Sequence, residues 1–231
     1  MTDEIAQLLK NLRLGRIAEI LDAELVAAEK GDHSYQELIV RLLRAQWHRQ
    51  QETALAWRIE RARLPEKWTL ESFPFKKQPG VVAREIRGFA ELGFVGKAEN
   101  LVFIGPTGVG KTGLASGILL KALQNGYRCL FIRAQDLFDE MSASLADRSS
   151  RKLIDRLVRV DVLLIDEIGY SNLGPEQTNI VFKLMTERYR QRTAIITTNL
   201  EYDKWHNVLG NKALLSRSRG DRCRPAGGPY W

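Results

Sequence analysis

The chain has 231 residues, of which 44% are hydrophobic and 27% charged, and its formal net charge is +7. This length suits one main domain with a small appendage, and no apolar run approaches the roughly 20 residues that cross a bilayer. The acidic start of the chain is not that of a secretory signal, so we expect a cytoplasmic protein. The two cysteines, Cys129 and Cys223, lack metal-ligand spacing, which predicts neither a disulfide framework nor a transition-metal site.

The N-terminal region has a helical pattern. Apolar residues recur at helical spacing from Ile5 to Leu25 and predict two short helices. Residues 34–37 form a capping box, after which a long helix is predicted from about Gln36 towards Arg63. Residues 1–66 are therefore predicted to be a small all-helical domain. We expect it to recruit a partner or DNA, with a solvated helix face as the alternative for its arginines.

Prolines and a glycine interrupt this pattern between residues 64 and 80. The same segment contains aromatic residues, among them Trp68 and Phe73, which gain more by packing than by remaining exposed. We therefore expect the linker to pack against the second domain. Residues 67–99 are assigned to this linker and a leading helix with apolar positions at 82, 86 and 89.

From residue 100 onward, apolar strand patterns alternate with helical ones. Strands separated by helices predict an α/β fold with a parallel sheet. A helix beginning at Pro175 is predicted to join the third and fourth strands. The four predicted strands are residues 101–104, 128–132, 162–165 and 193–197.

A glycine-rich loop follows the first predicted strand directly and fits the pattern G-x-x-x-x-G-K-[ST]. Its backbone amides and the N-terminus of the next helix attract phosphate, and Lys111 adds positive charge at the β and γ phosphates. The Thr112 hydroxyl is available to Mg²⁺. These features predict an ATP site, with a plain glycine-rich turn as the alternative. The loop consists of Gly105, Pro106, Thr107, Gly108, Val109, Gly110, Lys111 and Thr112.

Polar side chains follow the third and fourth predicted strands. Asp166 is predicted to hold Mg²⁺, mostly through water, and Glu167 to polarise a water for attack on the γ-phosphate. Phosphotransfer to an acceptor needs no such water, so hydrolysis is favoured; a strand ending in two solvated acids is the alternative. Asn199 could reach the γ-phosphate or the attacking water, unless it is a plain polar cap.

The motifs GPTGVGKT, LLIDEIGY and IITTNLEYDKW, with ENLVFIGP upstream, resemble the IstB-like ATP-binding proteins, helper ATPases of IS21-type transposons. That family is related to the bacterial helicase loaders, and the resemblance covers roughly residues 5–217. It implies a three-layer P-loop AAA+ core over residues 100–217, ATP-dependent homo-oligomers on DNA and stimulation of a partner transposase. Asn199 matches the family's sensor position.

Arg217 matches the Leu-Leu-x-Arg finger position of the same family. The resemblance implies that this arginine completes the ATP site of a neighbouring subunit by neutralising charge that develops on the γ-phosphate. The alternative is that Arg217 is one more base in a basic tail.

A basic cluster between the second and third strands is the candidate DNA surface, since helical spacing groups its members on adjacent faces. Asp147 and Asp155 dilute it and no aromatic residues are interleaved, so contact would be with duplex phosphates and tolerant of sequence. A solvated helix face is the alternative. The cluster consists of Arg148, Arg151, Lys152, Arg156 and Arg159.

Residues 218–231 form an atypical basic tail. Family members continue here with an apolar strand beside the P-loop strand, whereas Pro225 and the glycines and proline after it oppose a regular ladder. We therefore expect the C-terminal strand of the sheet to be missing, as in a truncated or frameshifted copy with weakened ATPase activity.

The main prediction is an ATP-hydrolysing transposition helper that assembles on DNA. Two rival functions remain open from the sequence. A helicase loader in replication would share every ATPase residue and differ in its partner. A non-hydrolysing, ATP-dependent DNA-binding switch would keep the site but not the turnover.

Overall fold

The computed structural model describes residues 2–31, 33–66, 68–78, 80–169 and 175–200, and the backbone of residues 223–225. The chain divides into two units, Met1–Trp57 and Arg58–Trp231. This division lies earlier in the chain than the boundary at residue 66 that the sequence predicts. Within the described residues, no helix is both long and apolar enough to span a bilayer.

The first unit is helical, as its apolar periodicity predicts. Ile17, Leu21 and Leu42 form its buried core. The side chain of Gln46 is also buried, and the cost is offset because its Oε1 accepts hydrogen bonds from the first-turn amides of Arg16 and Ile17 at 3.0 and 3.3 Å. The helices are α1 (Asp3–Asn11), α2 (Gly15–Lys30) and α3 (Tyr35–Arg61), the last of which extends into the second unit.

The predicted capping box before α3 is confirmed. The amide of Glu37 donates to Ser34 Oγ at 3.3 Å, and the amide of Ser34 donates to Glu37 Oε2 at 2.9 Å. Each side chain thus satisfies an amide that the first turn of the helix leaves without a backbone partner.

The second unit contains a parallel sheet with strand order β2-β3-β4-β1-β5, which confirms the predicted α/β class. Its central strands are near-continuous apolar runs because helices cover both faces of such a sheet. The strands are β1 (Asn100–Ile104), β2 (Cys129–Arg133), β3 (Val162–Ile168), β4 (Thr193–Thr198) and β5 (Cys223–Pro225). The helices are α4 (Ala83–Ala90), α5 (Gly93–Gly96), α6 (Lys111–Gln124), α7 (Ala134–Ala146), α8 (Ser150–Val158) and α9 (Pro175–Arg188), with a 3₁₀ turn at Phe75–Lys77.

The expectation that the C-terminal strand is missing is wrong. The short strand β5 pairs in parallel with β1, with Asn100 opposite Cys223 and Val102 opposite Pro225. Among the described strands β5 is the outermost of the sheet, and a proline is compatible with an outermost strand because its outer side needs no ladder hydrogen bonds.

The linker packs on α6, which confirms the expectation for its aromatic residues. An added Cβ at Gly110 would lie 2.7 Å from the Phe73 ring, and one at Gly113 would lie 3.5 Å from the Trp68 indole. A Cβ at Gly117 would lie 2.6 Å from Leu70 Cδ2. Gly110, at the end of the loop, and the α6 residues Gly113 and Gly117 therefore form the surface against which the linker lies.

The end of α3 contacts the open edge of the sheet beside β2. The amide of Phe131 donates to the carbonyl of Ala62 at 2.7 Å, so part of this edge is paired. On the same strand Cys129 is buried, and burial raises the pKa of its thiol to about 12. The thiol therefore stays protonated at neutral pH, as expected for a cysteine in the core.

Arg188, in the last turn of α9, is 1% exposed. Its Nη1 donates to the carbonyl oxygens of Leu157 and Val160 at 2.6 and 3.0 Å, and Nη2 donates to that of Thr193 at 2.5 Å. Burial, aided by repulsion from Arg192, lowers its pKa to about 10, so the guanidinium remains charged at neutral pH. This one side chain joins α9 to the end of α8 and the start of β4.

We predict that Arg188→Met lowers the free energy of unfolding by about 2–4 kcal/mol, because three carbonyl oxygens lose a charged donor. Arg188→Lys should recover part of the loss, since an ammonium cannot reproduce the planar fork. Urea denaturation measures both. Lys183→Met, on the exposed side of α9, is the control, and equal midpoints for it and Arg188→Met would contradict the prediction.

Candidate nucleotide-binding site

The loop between β1 and α6 has the backbone of a phosphate cradle. Gly108 and Gly110 have φ values of +86° and +87°, in the left-handed region that other residues adopt at a cost. The amide of Gly105 donates to the carbonyl of Thr198 at 3.2 Å and anchors the start of the loop on β4. Since α6 begins at Lys111, the positive end of the helix dipole lies at the loop.

The Lys111 side chain lies against the loop itself. Its Nζ donates to the carbonyl oxygens of Gly105 and Pro106 at 2.9 and 2.7 Å. Burial lowers the pKa of the ammonium, and the attraction of Asp166 and Glu167 opposes that shift. The loop therefore holds a positive charge close to both acids at the end of β3.

Asp166 is a buried carboxylate, 3% exposed, that is held by hydroxyl groups. Thr112 Oγ1 donates to it, lying 2.9 Å from Oδ1 and 3.1 Å from Oδ2. Thr197 Oγ1 donates to Oδ1 at 2.5 Å. The predicted metal residues Thr112 and Asp166 are thus in contact. Their hydroxyl and carboxylate oxygens are suitable ligands for Mg²⁺, which favours oxygen ligands and retains several waters.

Glu167 is exposed and lies on a β-bulge. Its φ is +61°, which is unusual for a residue with a side chain, and its amide donates to Thr197 Oγ1 at 2.9 Å. The bulge turns Glu167 away from the packed sheet, so that it lines the same cavity as the loop.

That cavity measures about 520 Å³, within the range of about 300–1,000 Å³ typical of small-molecule sites. Residues 107–113 form part of its wall, and Trp68, Phe73 and Gln78 of the linker form another part. Asn199, which follows β4, also lines it. The cavity therefore combines phosphate-binding, acidic and aromatic surfaces.

Arg217, the predicted finger residue, lies outside the described residues. Sequence reasoning did not assign four residues to the site: Arg133, Thr197, Trp68 and Phe73. Arg133 ends β2 opposite Asp166 and lines the cavity. The rule that carboxyl ends of parallel strands carry ligands could have identified it.

The basic cluster falls on and around α8, where all five members are exposed. Arg151 forms ion pairs with Asp155 at 2.8 Å and with Glu187 at 3.0 Å, and Arg156 pairs with Glu140. The other three bases make no ion pair with any described residue. They are Arg148, Lys152 and Arg159.

The fold is similar to that of two solved proteins. The replication initiator DnaA, bound to AMPPCP and single-stranded DNA, gives a TM-score of 0.61 at 21% identity over 71% of this chain and 50% of that chain. The DnaC helicase loader gives 0.55 at 23% identity over 65% of this chain and 90% of that chain. The parallel sheet and the glycine-rich loop between β1 and α6 define a P-loop nucleotide-binding fold.

The sequence model of the IstB-like ATP binding proteins matches residues 7–222. An insertion sequence IS5376 ATP-binding protein of Geobacillus stearothermophilus is 33% identical over 216 residues, which is 94% of this chain and 86% of that protein. The chain belongs to the IstB-like ATP-binding family of insertion sequences, as its motifs predict.

We predict that Lys111→Ala abolishes measurable ATP binding, because it removes the positive charge held at the phosphate loop. Binding of a fluorescent ATP analogue measures the effect. Lys121→Ala removes the same charge further along α6, where the lysine pairs with Glu71, and should bind ATP like the wild type. Equal affinity of the Lys111→Ala variant and the wild type would contradict the site.

Proposed function

We propose that this protein hydrolyses ATP with Mg²⁺ and uses the nucleotide state to control its assembly on DNA, where it stimulates the transposase of the same element. The position of Glu167 is the observation that supports ATP hydrolysis. A carboxylate adjacent to Asp166 lies exposed on the cavity of the phosphate loop, where a base for water is needed.

Different residues of the chain have different roles in the proposed hydrolysis. The loop amides and Lys111 bind and orient the β and γ phosphates. Thr112 and Asp166 hold Mg²⁺, which would neutralise charge on the phosphate oxygens. Glu167 accepts a proton from the attacking water, since the bulge directs its side chain to the cavity.

Asn199 and Arg217 complete the proposed site. Asn199 lines the cavity at the end of β4, beside the loop strand, where its amide can orient the attacking water. Arg217 acts in the site of a neighbouring subunit within a homo-oligomer, a role that rests on the family resemblance.

The aromatic part of the cavity wall is proposed to hold the base of ATP. Trp68 and Phe73 offer flat apolar surfaces to a ring system, and Gln78 offers an amide to its polar edge. Because Phe73 contacts the loop at Gly110, base binding and phosphate binding are physically linked.

The surface around α8 is proposed to contact duplex DNA through its phosphates. The net charge of +7 favours a polyanion, and the described structure leaves Arg148, Lys152 and Arg159 without ion-pair partners. Arg151 and Arg156 contribute less, because a phosphate must compete with their carboxylates. The transposase partner follows from the family alone.

We predict that Glu167→Gln lowers kcat for ATP by about 10²- to 10⁴-fold and leaves ATP affinity unchanged, because it removes the base and not the phosphate contacts. Phosphate release with DNA present and nucleotide binding are the two measurements. Glu176→Gln, an exposed change on α9, is the control.

Two outcomes would argue against this assignment. Loss of ATP affinity in Glu167→Gln would show that the residue holds the nucleotide instead. A wild-type protein that binds ATP and DNA without releasing phosphate would favour the non-hydrolysing switch.

We predict DNA binding that tolerates sequence and weakens steeply with salt. The slope of the logarithm of the binding constant against the logarithm of the salt concentration should fall in magnitude by about 2 in Arg148→Ala/Lys152→Ala, roughly one per phosphate contact. Titrations of two unrelated duplexes over a range of salt concentrations measure it. Arg84→Ala/Lys97→Ala removes the same charge elsewhere, from two exposed bases that form no ion pair with any described residue, and is the control. An equal slope in both double variants would place the DNA surface away from α8.

A further inference from the structure

We propose that Thr197 is a positioning residue of the hydrolysis centre, whose one hydroxyl orients the metal-binding carboxylate of Asp166 and fixes the backbone of Glu167. The inference rests on the proposed function, since it assigns a role within the same site. It concerns a side chain that is fully buried and does not itself line the cavity.

The hydroxyl of Thr197 makes two contacts with consecutive residues of β3. It donates to Asp166 Oδ1 at 2.5 Å and accepts from the amide of Glu167 at 2.9 Å. A hydroxyl has one hydrogen to donate and lone pairs to accept, so both bonds form at once. The geometry of each acid therefore depends on the same oxygen atom.

The strand register explains why a side chain is needed here. Ile165 pairs with Ile196 and Ile168 pairs with Thr198, so Asp166 and Glu167 together face the single residue Thr197. Such a bulge interrupts the ladder and leaves an amide without its carbonyl partner. The Thr197 hydroxyl takes the place of that carbonyl for the amide of Glu167.

The two hydroxyl groups on Asp166 have different surroundings. Thr112 is half-buried at the start of α6 and faces the cavity, so its oxygen is available to Mg²⁺. Thr197 lies behind the carboxylate, with 0% of its surface exposed. Its bond to Asp166 therefore remains when the metal and nucleotide bind, and it aligns the carboxylate beforehand.

Another threonine on the same strand differs from Thr197 in the bonds that its hydroxyl makes. Thr193 is equally buried, and its Oγ1 has no hydrogen-bond partner among the described residues. Thr193→Val is thus a control that makes the same chemical change at the same burial, at the far end of the strand from the acids.

The test compares Thr197→Val, Thr197→Ser and Thr193→Val in the full chain. We expect Thr197→Val to lower kcat on the order of 10- to 100-fold. Its affinity for nucleotide without metal should match the wild type, and the increase in affinity that Mg²⁺ brings should be reduced. Thr197→Ser, which keeps the hydroxyl, should recover both, and Thr193→Val should change neither.

Three results would overturn the proposal: Thr197→Val with unchanged kcat and Mg²⁺ dependence, a defect that Thr197→Ser does not recover, or an equal defect in Thr193→Val. Urea midpoints, measured on all variants, show whether a defect follows from loss of folding. If the wild type releases no phosphate, the proposed function fails, whereas the Mg²⁺ dependence of nucleotide binding still tests Thr197.

Discussion

The carboxylate of Asp166 is the group on which the arrangement of this site depends. A charge that is 3% exposed is costly unless other groups bind it, and here hydroxyls from two different elements do so. Thr112 brings in the start of α6, and Thr197 brings in β4. The phosphate loop, the acidic strand and the strand between them are therefore held in one geometry by bonds to a single side chain.

The linker and the end of α3 also contact the loop and α6. Phe73 lies against Gly110 of the loop, and Leu70 lies against Gly117, about two helical turns further on in α6. Arg58, at the end of α3, donates to the carbonyl of Leu123 at 3.1 Å near the other end of the same helix. Contacts with α6 are thus made by residues on both sides of the start of the linker, Arg58 on one side and Leu70 and Phe73 on the other.

The sequence locates best those residues whose position depends on local pattern. The loop of residues 105–112, Asp166 and Glu167 each follow an apolar strand at a spacing that leaves few alternatives, and the parallel sheet follows from alternating strands and helices. Thr197 could not be assigned in this way, because its role depends on the register of β3 against β4 and on the bulge. The short strand β5 was missed since the effect of Pro225 depends on whether the strand is internal or at an edge.

The charges around α8 also depend on contacts that are distant in the sequence and form only in the folded chain. The sequence shows the two acids close in the chain, but not that Arg151 reaches Glu187 on α9 or that Arg156 reaches Glu140 on α7. A cation that leaves a carboxylate for a phosphate exchanges one ion pair for another, so it adds less to binding than a cation that was solvated. The count of bases in a helix therefore sets an upper limit on the electrostatic attraction to DNA, and the acids of the neighbouring helices decide how much of that limit is reached.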